Sequence, residues 1–339
     1  MHSPTPIHII GLGSIGSFLA HSIRALPNPP PVNLLIHRKN LYDEFASKGW
    51  TLGLRVNENG PLQEQGGFDA ELLSQSTSSE PIQNLIVAVK ASATVSALQP
   101  IQHRLGPQST ICLFQNGMGQ IEDLNERVFT DKARRPTYMF GIMRHGVYLR
   151  SSTEAILSGL NGRAAIGIVD VEEDMDTSSR RADPQFLLDT LLRSPILRCE
   201  ELAWKDLLQN QLFKLAANCV LNPLTAILDV RNGVIKENPD LQSLIQRLLQ
   251  EINLVFRSLP ELKDLSSDDR FSVSSLETLV MDTIEKTAGN SSSMREDVRK
   301  GRATEIEYIN GWILRRAREL GIQFNGGARD ASTFAFHEN

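Results

Sequence analysis

A glycine-rich turn between a short apolar strand and a helix constrains the fold of this chain more than any other feature. Gly11, Gly13 and Gly16 follow the apolar segment Ile7–Ile10 and open a helix that we expect to extend to about Leu26. The first glycine permits a tight turn, the second lets the backbone approach a pyrophosphate, and the third lets helix and strand pack closely. The helix N-terminus adds free N–H groups and a partial positive charge. The turn therefore predicts a dinucleotide site, although a glycine-rich turn without a ligand has the same pattern. The residues of this predicted site are Gly11, Leu12, Gly13, Ser14, Ile15 and Gly16.

The end of the second predicted strand, 32–36, indicates which dinucleotide would bind. An enzyme that uses NAD usually carries Asp or Glu at this point to hold the ribose 2′-hydroxyl. This chain has His37, Arg38 and Lys39 instead. Because a guanidinium can bind a phosphate through two parallel N–H donors, Arg38 favours NADP(H) as the cofactor. The alternative is that Arg38 and Lys39 are only solvated loop charges.

Strand-like and helix-like segments alternate through the first half of the chain. Two more strands are expected at 85–89 and 111–114, and they lead into Lys90 and Asn116. This order predicts an α/β fold with a Rossmann-type doubly wound sheet, in which ligands bind beyond the carboxyl ends of the strands. Lys90 and Asn116 are therefore candidate site residues. The alternatives are a surface lysine and a simple helix cap.

The second half of the chain has a different pattern. Short β-like pieces around 146–148 and 164–169 predict an antiparallel extension of the sheet, and the acidic stretch 172–183 predicts a surface loop. After residue 197 only helical periodicity remains. We therefore expect an NADP-binding Rossmann domain over residues 1–198 and a helical substrate and catalytic domain over residues 199–339. Helices are expected at 204–228, 241–258, 276–287 and 295–320.

Composition excludes several classes of protein. The 339 residues are 41% hydrophobic and 22% charged, with a formal net charge of −5, so the chain can bury a core but has no cationic excess for nucleic acid or anionic lipid. Three widely spaced cysteines favour reduced buried thiols over a zinc site or disulfides. No apolar run approaches the roughly 20 residues of a membrane span, and the N-terminus leads almost directly into a strand. We expect a cytoplasmic protein without a metal, nucleic-acid or membrane partner. A homodimer through the apolar helical domain remains open, because core packing explains the same residues.

Lys214, Asn218 and Asn222 recur every four residues in an otherwise apolar stretch. On a helix this spacing places them along one slowly drifting face. A polar stripe of this kind is expensive to bury without a ligand. Pro223 lacks the N–H that would bond the Cys219 carbonyl, so a kink or a helix end is expected beside the stripe. The alternative is an ordinary solvent-facing stripe.

Two further candidates lie near the end of the chain. Glu305 falls on the long helix expected over 295–320, where an exposed acid is the more common occurrence. Ser293 and Glu296 have the spacing of a capping box, in which the serine hydroxyl bonds the Glu296 N–H. A cap and a ligand contact are not exclusive. His145, next to a glycine and a predicted strand, is interpreted as a structural histidine.

Taken together, these segments resemble the ketopantoate reductase (2-dehydropantoate 2-reductase) family. The resemblance implies a Rossmann domain joined to a helical domain like that of 6-phosphogluconate dehydrogenase, with the active site in the cleft between them. It also implies reduction of 2-dehydropantoate by NADPH to pantoate, a precursor of coenzyme A. The five segments that carry the resemblance, in the family's order, are 11–16, 89–91, 115–119, 214–223 and 292–311.

The resemblance also implies roles for individual residues. Lys214 would be the catalytic general acid on the developing alkoxide, and Glu305 would position Lys214 or the substrate hydroxyl. A nearby ammonium suits this chemistry, because hydride addition to a ketone places negative charge on oxygen. The implied substrate contacts are Asn116, Asn218, Asn222 and Ser293. The implied cofactor contacts are the six residues of the glycine turn together with Arg38, Lys90, Asn116 and Glu305.

Two alternatives to this function remain open. One is a non-catalytic, reductase-like NADP-binding regulatory protein, because the tail from residue 321 lacks the Pro-rich and then apolar ending expected of the family. The other is a reductase of a different branched 2-oxoacid, because the sequence does not define the shape of a pocket. The presence of Lys214 together with Glu305 favours an enzyme, since a scaffold needs neither.

Overall fold

The computed structural model of the protein describes residues 5–170, 182–265 and 269–324. Two compact units are present. The sheet unit contains Met1–Gln115 and Gln120–Leu207, and the helical unit contains Asn116–Gly119 and Leu208–Asn339. Residues 116–119, although they lie in the first half of the sequence, therefore group with the helical unit. The domain boundary between residues 198 and 199 stays a prediction from the change in sequence pattern. The predicted loop at 172–183 lies almost wholly outside the described residues.

Twelve strands lie in the described part of the sheet unit and form two sheets. Eight of them make one sheet in the spatial order β12, β11, β8, β7, β6, β1, β2, β5, and the other four make a second sheet in the order β4, β3, β10, β9. The strands are β1 (Ile7–Ile10), β2 (Val32–Ile36), β3 (Leu52–Val56), β4 (Gln63–Gln65), β5 (Asp69–Leu72), β6 (Asn84–Val87), β7 (Thr110–Leu113), β8 (Thr137–Met143), β9 (Val147–Ser151), β10 (Glu154–Leu157), β11 (Ala164–Ile168) and β12 (Cys199–Glu201).

The larger sheet has the doubly wound arrangement that the sequence predicts. β1 pairs in parallel with β2 on one side and with β6 on the other, so that Ile7 lies opposite both Val32 and Asn84. β7 and β8 continue the parallel order, and β11 runs antiparallel to β8. The α/β fold class is confirmed, and the strand expected near 164–169 is the antiparallel extension of this sheet.

Both faces of the larger sheet are buried at its centre, which explains why central strands such as β1 and β2 are almost continuously apolar, unlike the edge strands β5 and β12. Ile9 and Leu34 belong to one hydrophobic core, whereas Ile10 and Leu35 belong to the other. Successive side chains of a strand point to opposite faces, so each strand contributes to both cores. The sheet is therefore a rigid support for the loops at its strand ends.

The second sheet was not predicted. The β-like piece near 146–148 becomes β9, which pairs with β10 rather than with the larger sheet, so that part of the prediction is wrong. Val147 and Leu149 pack against the core while Tyr148 is exposed. This alternation identifies a half-buried strand but carries no information on which strand it pairs with.

Five helices connect the strands in the described part of the sheet unit. α1 begins at Ser14, within the glycine turn, and ends before Pro27, close to the predicted bounds. Its buried residues include Phe18 and Leu19, which belong to the core beneath it. The helices are α1 (Ser14–Arg24), α2 (Lys39–Ser47), α3 (Thr94–Leu98), α4 (Gln120–Arg127) and α5 (Gln185–Leu192).

Helices alone, with short 3₁₀ turns, form the described part of the helical unit beyond residue 207, as the sequence predicts. The first helix has the predicted bounds, but the second in the series was missed. The six helices are α6 (Trp204–Leu228), which starts in the sheet unit, α7 (Asn232–Glu237), α8 (Gln242–Ser258), α9 (Val273–Lys286), α10 (Ser293–Arg299) and α11 (Asn310–Glu319).

The single long helix expected over 295–320 is wrong. α10 ends at Arg299, a 3₁₀ turn spans Ile306–Tyr308, and α11 begins at Asn310. Gly301 has a φ of +59°, a conformation that favours glycine and commonly terminates helices. Glu305 therefore lies between helices and not on one.

α6 continues past Pro223 for five residues, so of the two expected outcomes, a kink or a helix end, the helix end is excluded. By length and composition this helix could cross a membrane, but 72% of its most apolar window is buried inside the protein. A core helix of a soluble protein has the same character. The helix is apolar because most of its residues are buried. Proline in its interior leaves one carbonyl without its usual donor.

Candidate functional site

The glycine turn has two glycines that the fold itself requires. A Cβ atom on Gly11, whose φ is +98°, would lie 2.4 Å from the Val89 backbone nitrogen. A Cβ atom on Gly16 would lie 1.9 Å from the Gly11 carbonyl oxygen. Any side chain at these two positions would collide with backbone, so the turn, β1 and α1 can pack only with glycine there.

Gly13 differs from both of its neighbours in the motif. A Cβ atom there would meet nothing within 4 Å, and its φ of −82° is open to any residue. Gly13 is the N-cap of α1 and is exposed, and the first turn of α1 carries no acid. The protein's own packing does not require glycine at 13, whereas a pyrophosphate close to the backbone would. The turn therefore fits the phosphates of a dinucleotide.

The cationic segment 37–39 after β2 is exposed, and its side chains differ in whether they already have a partner within the protein. Lys39 Nζ donates to both carboxylate oxygens of Asp43 at 2.9 and 2.8 Å. Arg38 forms the N-cap of α2, and its carbonyl accepts from the Tyr42 N–H at 3.1 Å, but its side chain has no hydrogen bond or ion pair to the residues described by the structure. Burial, with the charge of Arg38, lowers the pKa of His37 below its usual value. Lys39 is thus engaged by Asp43, and the Arg38 side chain is the group available to an anion.

Lys90 and Gln115 lie just beyond β6 and β7. Lys90 is half-buried and precedes a 3₁₀ turn at Ala91–Ala93. Gln115 Nε2 donates to the Val89 carbonyl at 2.9 Å and to Thr94 Oγ1 at 2.7 Å. The Gln115 side chain therefore fastens the loop that carries Lys90. Gln115 was not among the candidate residues predicted from the sequence. A polar residue directly after a buried strand was the available signal.

Three predicted residues of the helical unit form one hydrogen-bonded chain. Lys214 Nζ donates to Asn116 Oδ1 at 2.9 Å, and Asn116 Nδ2 donates to Glu305 Oε2 at 3.2 Å. A lysine offers only donors and a carboxylate only acceptors, so the two partners determine the orientation of the amide between them. The Asn116 side chain therefore bridges an ammonium and a carboxylate and does more than cap a helix.

The surroundings of this chain are largely desolvated. Glu305 is 5% exposed, and Lys214 and Asn116 are half-buried. A carboxylate buried to this extent is stable only with hydrogen bonds or an opposite charge nearby, and the chain supplies both. The ammonium has three N–H donors, of which Asn116 takes one. The arrangement can hold Lys214 in position and present a proton to an oxygen atom.

Asn218 and Asn222 lie on α6 at the predicted spacing of four from Lys214. Asn218 is half-buried and Asn222 is 5% exposed. The Asn222 side chain makes no hydrogen bond to the residues that the structure describes. An amide buried in this state has donors and an acceptor for a ligand.

Ser293 is not the helix cap that its spacing predicted. Ser292 is the N-cap of α10, and its Oγ accepts from the Arg295 N–H at 3.1 Å. Glu296 instead accepts a hydrogen bond from Ser291 Oγ at 2.6 Å. Three consecutive serines allow the cap register to differ by one residue. Ser293 is exposed at the first position of α10, and its proposed ligand contact remains a prediction.

The histidine and cysteine interpretations follow from burial. His145 is buried, and its Nε2 lies 3.2 Å from the Ile196 carbonyl. Burial lowers the pKa of His145, as expected for a structural histidine. All three cysteines are free, and burial raises the pKa of Cys112 and Cys219. Among the described residues, no group of three or more His, Cys, Asp or Glu side chains could hold a metal ion.

A doubly wound sheet with a dinucleotide turn, followed by a helical unit with a lysine–amide–carboxylate chain, defines a nicotinamide-nucleotide oxidoreductase. The family model described as "Ketopantoate reductase PanE/ApbA" matches residues 7–170, and "Ketopantoate reductase PanE/ApbA C terminal" matches residues 206–325. The chain belongs to the ketopantoate reductase family.

Individual proteins agree with this assignment. The chain is 30% identical to the "Probable 2-dehydropantoate 2-reductase" of Schizosaccharomyces pombe, over 94% of this chain and 92% of that protein. It is 25% identical to "Ketoisovalerate reductase BEA2" of Gibberella fujikuroi, over 93% and 79% of the two chains. A D-mandelate dehydrogenase solved with NADH and anilino(oxo)acetate has the same fold, with a TM-score of 0.74, 19% identity and coverage of 94% of each chain. The family thus contains reductases of more than one named activity.

Proposed function

We propose that the protein reduces 2-dehydropantoate to (R)-pantoate with NADPH, a step toward pantothenate and coenzyme A. The observation that carries the proposal is the chain of hydrogen bonds from Lys214 through Asn116 to the buried carboxylate of Glu305. Reduction of a ketone requires a proton donor for the oxygen as well as a hydride donor for the carbon. When bound, the reduced nicotinamide supplies the hydride.

In this proposal Lys214 is the general acid. The ammonium donates a hydrogen bond to the ketone oxygen, stabilises the negative charge that develops there and transfers a proton to it. Asn116 holds the ammonium by accepting one of its N–H groups, and Glu305 anchors the amide. Lys214 then regains its proton from solvent.

Asn218, Asn222 and Ser293 are the proposed substrate-holding residues. The substrate carries a carboxylate, a ketone and a hydroxyl group, and an amide side chain can donate to the first two and bond the third in either direction. Asn222 suits this role because its buried side chain has no hydrogen bond to the described residues. A site that bonds a substrate hydroxyl discriminates strongly against an analogue without one.

NADP(H) is proposed as the cofactor over NAD(H). Its phosphates would bind at Gly11–Gly16, where the backbone beside Gly13 is open. Arg38 would bind the 2′-phosphate, because Lys39 is already engaged by Asp43. Lys90, Asn116 and Glu305 are the remaining proposed cofactor contacts. A cytoplasmic location and a homodimer are part of the same proposal.

A second candidate is a reductase of another branched 2-oxoacid. It is favoured by one observation, the 25% identity to a relative named as a ketoisovalerate reductase. The two substrates differ by a hydroxymethyl group, which only polar side chains such as those of Asn218 and Asn222 can recognise by hydrogen bonding. The competing regulatory function requires nucleotide binding without turnover.

Steady-state kinetics with purified protein test the proposal. NADPH oxidation should be followed with 2-dehydropantoate and 2-oxoisovalerate, and kcat/KM should favour 2-dehydropantoate by at least about a hundredfold. NADH should support turnover less well. Preference for 2-oxoisovalerate would support the second candidate. NADPH binding without turnover of any 2-oxoacid would support the regulatory function.

A further inference from the structure

One hydrogen bond in the helical unit joins α6, one turn before Pro223, to the segment that follows Glu305. The proposed chemistry does not use this bond. Proline has no N–H, so the carbonyl of Cys219, four residues earlier on α6, lacks the main-chain donor that a helix normally provides. Asn310 Nδ2 donates to this carbonyl at 3.0 Å. The Asn310 Oδ1 atom is buried without a hydrogen-bond partner in the structure.

The position of this bond relates it to the lysine–amide–carboxylate chain. Cys219 follows Asn218 and lies five residues after Lys214 on α6, whereas Asn310 lies five residues after Glu305. The bond therefore ties the helix that carries the lysine to the segment that carries the carboxylate. Cys219 is 1% exposed, so the bond is shielded from water.

The Glu305 segment needs such an anchor because it is not part of a helix. Between the end of α10 and the start of α11 it contains only the 3₁₀ turn Ile306–Tyr308. A second bond holds the same turn, since the Met118 N–H donates to the Tyr308 carbonyl at 2.8 Å. Met118 is two residues from Asn116. One bond therefore fastens Asn310, the first residue of α11 and two residues beyond the turn, to α6. The other fastens the turn itself to the loop of Asn116.

We propose that Asn310 is a positioning residue, whose bond to the carbonyl freed by Pro223 holds Glu305 at its place beside Asn116 and Lys214. This inference rests on the proposed function for its kinetic consequence only. The bond also explains why Pro223 is tolerated inside a buried helix. The proline leaves the Cys219 carbonyl without a main-chain donor, and Asn310 uses this carbonyl to attach its own segment. Neither residue touches the reacting atoms in this proposal.

The kinetic test compares two asparagines in the helical unit. Asn232 also begins a helix, donates one bond of 2.9 Å through Nδ2 to Thr287 and leaves its Oδ1 buried without a partner. Asn310→Leu should lower kcat about tenfold or more, because small displacements of catalytic groups reduce rates steeply. Binding of NADPH, measured by calorimetry, should weaken less than kcat falls, because Glu305 is only one of the proposed cofactor contacts. Asn232→Leu should lower the melting temperature similarly but leave kcat per folded molecule at the wild-type level.

Hydrogen–deuterium exchange tests the structural part without any turnover. In the full-length protein, Asn310→Leu should accelerate amide exchange in peptides covering 302–309 by about tenfold, because local opening becomes easier. Asn232→Leu should not do so. In a Pro223→Ala background residue 223 regains its N–H, and the loss of melting temperature caused by Asn310→Leu should shrink.

The outcomes separate the two proposals. Unchanged exchange at 302–309 in Asn310→Leu, or kcat equal to that of Asn232→Leu, would overturn the positioning role. Absence of turnover in the wild-type protein would instead count against the proposed function. In that case the exchange experiment and the Pro223→Ala comparison still decide whether Asn310 anchors the Glu305 segment.

Discussion

The glycine turn and the lysine–amide–carboxylate chain are assembled in opposite ways. The turn is made of six consecutive residues, whereas Asn116 contacts partners 98 and 189 positions away in the sequence. The glycines act through the absence of side chains, and the chain acts through charge and hydrogen bonding. A motif of the first kind can be recognised by spacing alone, but one of the second kind exists only after the chain has folded.

The largest expected effect is the loss of the proposed acid. Lys214→Ala should lower kcat between about a hundredfold and ten-thousandfold, the range for removing a general acid, with little change in NADPH affinity. Steady-state kinetics and calorimetry give the two quantities. Lys205→Ala, at an exposed lysine near the start of the same helix, is the control. An unchanged rate in Lys214→Ala would remove this lysine from the mechanism.

Two alanine substitutions distinguish the glycine that the fold requires from the glycine that a bound phosphate would require. Gly16→Ala should destabilise the protein by about 3 kcal/mol or more, because its Cβ would overlap the Gly11 carbonyl. Gly13→Ala should leave the melting temperature near the wild-type value and weaken NADPH binding at least about tenfold, because backbone approach to the phosphates is hindered. Thermal denaturation and calorimetry measure both. Equal nucleotide affinity in Gly13→Ala and the wild type would disprove the phosphate site.

The histidine contribution to acid sensitivity should belong to the unit with the glycine turn, since the histidines of the described ranges all lie in the sheet unit. Burial, reinforced by the charge of Arg104, lowers the pKa of His8 to about 4 from the usual 6.5. Between these values the unfolded chain binds a proton that the folded protein does not, so stability falls as the pH drops from about 6.5 to about 4. The loss attributable to His8 is roughly 3 kcal/mol.

Urea denaturation at several pH values checks this expectation. His8→Gln should flatten the fall in unfolding free energy across that window, whereas His103→Gln, at an exposed histidine, should not. A fall of the same steepness in His8→Gln would assign the acid sensitivity to other groups.

The smallest expected effect concerns the choice between two coenzymes. Arg38→Ala should weaken NADPH binding about tenfold or more and NADH binding little, because only NADPH has the 2′-phosphate. Lys39→Ala should have a smaller effect, since its ammonium is held by Asp43. Competition binding with both coenzymes measures the ratio. Equal losses for NADPH and NADH would mean that Arg38 does not contact the phosphate.

Local signals predicted the main elements of the fold. β1, β2 and α6 have the bounds expected from hydrophobic patterning, because long or fully apolar segments leave little ambiguity. The second sheet escaped prediction since strands such as β3 and β9 mix apolar with polar, partly buried or exposed residues. The break between α10 and α11 had a signal, Gly301 after two basic residues, that was outweighed by the helical periodicity around it.

The candidate site was predictable residue by residue but not as an arrangement. Lys214 and Asn222 stood out as polar groups in an apolar helix, whereas the role of Glu305 came from resemblance alone. The bridging position of Asn116 depends on three separate segments packing together, which spacing cannot reveal. The register of the Ser292 cap and the Asn310 bond to Cys219 depend on the same tertiary contacts.

The grouping of Asn116–Gly119 with the helical unit has a consequence for recombining or truncating this protein. A fragment that begins at residue 208 would contain the lysine and the carboxylate but would lack the amide that bridges them. Exchange of the C-terminal half between family members would similarly join a loop from one parent to a helix from the other. The functional module is discontinuous in the gene, and a working chimera has to inherit both pieces from the same source.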